Sequence, residues 1–138
     1  MRRAPVLLLL AGLSACGGSL YSTVRGSTLT PPSTVYECVQ QQLETLGYRR
    51  MQYDTDAHWY LAQRIDPTDR VSSGLYLKTV DRIDAKVRPD ASGTTSLEMV
   101  VKTIQVFSTA AGEREDEKPA SSNVKRDAAA IAAACAPK

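Results

Sequence analysis

The distribution of apolar positions along the chain changes period several times, and each change marks an element. Val35, Cys38, Val39, Leu43 and Leu46 recur at three- and four-residue spacing, which places them on one face of a helix. Thr34 stands as its N-cap with Glu37 as capping-box partner, Pro31-Pro32 bars backward extension, and Gly47 sits where a left-handed stop is wanted. Four strand patterns follow, at 48–53, 58–65, 75–88 and 95–107. In the second, Trp59, Leu61, Gln63 and Ile65 alternate with His58, Tyr60, Ala62 and Arg64. In the third, Val80 falls out of phase, which predicts a bulge near it. In the fourth, Leu97, Met99 and Val101 alternate with Glu98, Val100 and Lys102. The turn clusters are Asp54-Thr55-Asp56-Ala57, a loop from Asp66 to about Gly74, and Pro89-Asp90-Ala91-Ser92-Gly93. The stretch 110–119 reads AAGEREDEKP, charged and without apolar anchors, so it is expected as a solvated loop. Ser121 or Ser122 then caps a last helix carrying Val124, Ala128, Ile131 and Cys135 on one stripe. The fold class predicted is α+β, an antiparallel four-stranded meander covered on one face by an N-terminal and a C-terminal helix.

Before these elements lies a different pattern. Met1-Arg2-Arg3 is a short positive opening, and 4–13 is apolar without a charge. Ten helical residues rise about 15 Å, half a bilayer core, so this is a signal-peptide length and too short to span. Leu13-Ser14-Ala15-Cys16-Gly17 follows. This run resembles the lipobox of bacterial lipoproteins. The resemblance implies cleavage before Cys16, a diacylglyceryl group on its sulfur and an acylated new terminus, hence a stable membrane anchor. Gly17, where inner-membrane retention is associated with aspartate, favours the outer membrane, facing the periplasm in a diderm host. The domains expected are a cleaved leader at 1–15, a lipidated, Gly/Ser/Thr/Pro-rich tether at 16–32, and one α+β domain at 33–138. As a coil, that tether would span on the order of 20 Å.

Charge and cysteine count narrow the function. Of seventeen Lys and Arg, Arg2 and Arg3 leave with the leader, and the remaining fifteen balance fifteen Asp and Glu. That balance leaves no electrostatic footprint for nucleic acid. With Cys16 consumed by lipid, Cys38 and Cys135 are an even pair in an oxidising compartment, expected as a disulfide. Five reversals through four strands would set the last helix antiparallel to the first and bring both cysteines to one end. Three strands would part them. If the tether leads straight into the first helix, that end is the membrane-proximal one. The turns at 54–57 and 89–93 would share it, with the loops at 66–74 and 113–118 on the far side.

Candidate chemistry is sparse. Asp54, Asp56 and His58 make a D-x-D-x-H spacing that suits a divalent metal, although a turn leading into a strand explains the same residues. Ser72, Ser73 and Ser92 stand in turns without a nucleophile elbow, no carboxylate pair is singled out, and the cysteines lack a C-x-x-C spacing. No cofactor or metal is expected. By parity, the helix-free sheet face would carry Tyr60, Arg64, Tyr76, Lys78 and Arg82, residue types enriched in binding hot spots. LETLGY followed by a meander with WYLAQR resembles small uncharacterised envelope lipoproteins over residues 34–107, and no site residue carries over from that likeness. The expectation is a non-enzymatic envelope lipoprotein that binds or scaffolds another envelope protein or polymer. The alternatives are a small hydrolase or metal-dependent enzyme using His58 with Asp54 or Asp56, and a periplasmic enzyme inhibitor acting through the loop at 66–74.

Overall fold

The computed structural model describes residues 19–66 and 75–137. The leader, the lipobox with Cys16, and most of the 66–74 loop with Ser72 and Ser73 lie outside the described residues. The elements in order are β1 (Ser22–Thr28), α1 (Pro32–Thr45), β2 (Arg49–Asp54), β3 (Trp59–Ile65), β4 (Tyr76–Pro89), β5 (Thr95–Thr109), β6 (Gly112–Lys118) and α2 (Ser122–Cys135).

The sheet is six-stranded and antiparallel, and this corrects the four-stranded meander. Its order is β1-β5-β4-β3-β2, with β6 also on β5. The two strands added lie end to end along one side of β5. β1 takes its first half, from Ser22↔Val101 to Thr28↔Thr95. β6 takes its second half, from Thr103↔Lys118 to Thr109↔Gly112.

Both additions occur where the sequence lacks an amphipathic signal. Residues 22–28, expected as flexible tether, read STVRGST and alternate half-buried with exposed. Val24 alone brings a sizeable apolar side chain to the core. Segment 112–118, expected as a solvated loop, is mostly exposed. It forms a strand because Gly112, at φ 110°, turns the chain back on β5. Its charges then find partners across the sheet: Lys102 with Glu117 at 2.9 Å and Arg82 with Glu115 at 3.1 Å.

Helix α1 begins one turn earlier than its expected cap. Pro31 is the N-cap with no side-chain cap and Pro32 opens the first turn, where a missing N–H costs nothing. At its end Gly47, φ 83°, donates to Glu44 O at 3.0 Å and Tyr48 N donates to Leu43 O at 2.9 Å. That pair of bonds is a Schellman stop, and it aims Tyr48 back under the helix. In α2, Ser121 Oγ accepts from Val124 N at 3.1 Å, the expected cap.

The two helices cover one sheet face and enclose one core. Val35, Val39 and Leu43 of α1 and Val124, Ala128 and Ile131 of α2 meet Tyr60, Ala62, Ile83, Ala85, Leu97 and Met99 of the sheet. A smaller cluster of Val80, Ile104 and Val106 lies farther out on β4 and β5. The register break in β4 falls between Tyr76 and Lys78, ahead of the expected position at Val80.

The bridge Cys38–Cys135 is present, with Cα atoms 5.6 Å apart. The helices are antiparallel even with β6 added. β6 returns only as far as Thr103, and α2 carries on in the same sense, so no sixth reversal occurs. The bridge nevertheless lies away from the chain's entry point. β1 comes first and runs along the first half of β5, entering beside Val101 and handing over to α1 beside Thr95. The disulfide and the turns near 55–58 and 90–94 are therefore remote from residue 19, which reverses the expected orientation.

A cationic cleft above a buried polar network

The set expected on the open sheet face is divided by the fold. Tyr60 is 1% exposed and faces the helices, its ring edge-on to Tyr36. The register explains this: Tyr60 pairs with Ala85, Ala62 with Ile83 and Arg64 with Asp81, and these residues share the covered face. Trp59, expected inside, turns outward and donates from Nε1 to Asp84 at 2.7 Å. Ile65 is exposed. The inward parity is the one with alanines, since α1 and α2 need small residues where they approach the sheet. Of the five, Arg82 lies on the open face, held by Gln63 and Glu115 at 3.1 Å each. Tyr76 lies out along β4, its ring edge-on to Phe107. Lys78 lines a cleft with Arg64.

Arg64 sits on the helix-covered side because α2 supplies Asp127, which is 4% exposed. The guanidinium also donates to Leu46 O at 2.6 Å and lies over the Tyr48 ring at 4.4 Å. Tyr48 donates its hydroxyl to the same Asp127 carboxylate at 3.0 Å. Burial, and then Asp127, raise the Tyr48 phenol well above its ordinary value, so it is a fixed donor. Beside this network lies Asp81, fully buried. Thr103 Oγ1 donates to it at 2.7 Å and Ser121 Oγ at 2.9 and 3.0 Å. Burial pushes the Asp81 carboxyl above its usual range, while these two hydroxyls pull it back. The cap of α2 is thereby tied to the sheet.

Above the network opens a cleft of about 360 Å³ lined by Gly47, Arg49, Gln63, Arg64, Ile65, Lys78 and Val80. The Nε of Arg64 is buried and has no hydrogen-bond partner among the described residues. Arg49 and Lys78 likewise have no ion-pair partner among the described residues. Arg49 and Lys78 beside Ile65 and Val80 suit an anionic group carried on an apolar body. Gly47 was expected only as a helix stop, and Arg49 escaped the sequence reading because it belongs to no apolar period. Asp127 left a signal, an acid three residues after Val124 on an otherwise apolar stripe.

The other candidates stand apart from this cleft. Asp54 Oδ1 accepts from Ala57 N at 2.9 Å, which makes it a turn residue. His58, at φ 47°, packs its ring on Tyr36. No three of His, Cys, Asp and Glu gather as a metal set among the described residues. Ser92 lies in its turn, in hydroxyl contact with Thr94 at 2.9 Å. No described helix is long and apolar enough to cross a membrane. No protein-family model and no curated protein matches this sequence.

Proposed function

We propose that the mature chain is a lipid-anchored envelope protein that binds or scaffolds another envelope component and performs no chemistry of its own. The observation that carries the reading is the Cys38–Cys135 bridge. Such a bond persists in an oxidising compartment, where the basic opening, apolar stretch and lipobox-like run ending at Cys16 would send the chain. The anchor is Cys16, and Gly17 after it favours the periplasmic face of an outer membrane. The cleft of Arg49, Arg64 and Lys78 supports binding.

The test is Cys16→Ser in the full chain. The variant loses labelling by fatty-acid analogues and accumulates with an uncleaved leader, while the wild-type chain fractionates with outer membrane in a diderm host. Equal labelling of variant and wild type overturns the anchor, and recovery of the wild type solely with inner membrane overturns the location.

A further inference from the structure

We propose that the end of the domain carrying the cationic cleft docks on anionic phospholipid headgroups of the bilayer that holds the anchor. This inference rests on the Cys16 anchor proposed above and names a ligand for the cleft. Paired residues define rows across the sheet. Ser22, where the chain enters, is in the row Val101–Ile83–Ala62–Arg50. The next row outward holds Lys102, Arg82, Gln63 and Arg49, and two rows farther come Ile104, Val80 and Ile65. The end that carries the cleft therefore begins one row beyond the entry point.

Chain length brings that end to the membrane. The segment from Cys16 to Ser22 reaches at most about 20 Å when fully extended. Beyond the entry row, β5 continues from Val101 to Thr109, roughly 25 Å at strand rise. The projection is longer than the leash, so the domain cannot stand clear of the headgroups with this end toward them.

The surface there has the composition of an interfacial site. Eight large hydrophobic side chains are exposed among the described residues, and five of them, Leu20, Tyr21, Ile65, Leu75 and Leu77, lie at or beyond the entry row. Arg49 and Lys78 offer their charges beside Ile65. On β6, Glu115, Asp116 and Glu117 are each occupied by Arg82, Arg114 and Lys102. Asp66, bonded to Asn123 at 3.5 Å, is an acid beside the cleft. A lipid phosphate in the cleft, with Ile65 and Leu77 against the acyl boundary, satisfies both chemistries.

The experiment reconstitutes the lipidated full chain into phosphatidylcholine vesicles with and without phosphatidylglycerol and reads amide hydrogen exchange. On phosphatidylglycerol, exchange across 47–50, 63–66 and 76–80 slows by about tenfold relative to phosphatidylcholine, and added salt reverses it. Arg49→Glu with Lys78→Glu loses that protection yet floats with the vesicles as before. Equal exchange on both lipids, or protection that survives the double variant, overturns docking. Protection by inorganic phosphate without vesicles overturns the lipid as ligand. Flotation is a separate readout: a Cys16→Ser chain that floats like the wild type sinks the anchor, whatever the exchange pattern shows.

Discussion

Arg64 shows how one side chain can be placed by residues distant in sequence. Parity puts it on the covered face of β3, and only the pairing with Asp127, the Leu46 carbonyl and the Tyr48 ring makes burial there tolerable. Arg64→Met leaves the Asp127 carboxylate buried with Tyr48 as its main partner, at an expected cost of about 3 to 5 kcal/mol in denaturant unfolding. Adding Asp127→Leu recovers most of that loss, because an apolar pair of similar size fills the site without a charge to desolvate. Asp81 makes a pH-dependent contribution of definite sign. Its carboxyl pKa is raised in the fold by burial, so between the unfolded and folded values the native state holds more protons than the unfolded chain. Stability is then full below the ordinary carboxylate range near pH 4 and falls as pH rises through the folded value. The slope from this one group is at most about 1.4 kcal/mol per pH unit. Asp81→Asn removes that part of the slope in urea titrations between pH 4 and neutrality, and retention of the full slope contradicts the assignment.

At the scale of elements, β1 and α2 are fitted to each other at a single residue. Gly26 pairs with Leu97 in the sheet, and a Cβ built on it would lie 2.8 Å from the Ala136 Cβ. Neither atom has a rotamer to move, so Gly26→Ala must push the end of α2 away from β1. The expected loss is about 1 to 3 kcal/mol, and faster amide exchange at 132–136 than at 122–128 locates it. The same end of α2 is held by the disulfide, which spans a sequence separation of 97. In the chain-entropy description such a closure contributes about 4 to 5 kcal/mol. Reduction should loosen the last turns of α2 before the sheet, since alanines there bury little apolar area. Exchange mass spectrometry with and without reductant checks the order, and simultaneous loss of protection in β4 and β5 contradicts it. β6 is a different kind of element, held by backbone pairing and cross-strand charges whose exposed pairs contribute little each.

At the scale of the whole molecule, orientation and not composition decides what the domain can meet. The chain enters β1 at mid-sheet, one row short of the cleft, and runs from there toward the end that carries the disulfide. Had residues 17–32 formed a coil leading straight into α1, the chain would have entered at the end that carries the bridge, away from the cleft. A seven-residue strand reverses that. The sequence alone determined the two helices, the strands now β2 to β5 and the partnership of Cys38 with Cys135, because these depend on period, on stop signals such as Gly47 and on cysteine parity. The lipobox-like run at Cys16 is equally local, and its consequence is a proposal about address. Only tertiary structure decided the rest. β1 and β6 became strands because β5 is long enough to pair with both, and backbone pairing is not written in side-chain periodicity. Which parity of β3 turned inward depended on the small residues the helices needed and on an aspartate 63 residues from Arg64. The cleft exists because the Schellman stop of α1, the start of β2 and the outer stretch of β4 converge around that buried arginine, a three-body arrangement that sequence spacing does not encode.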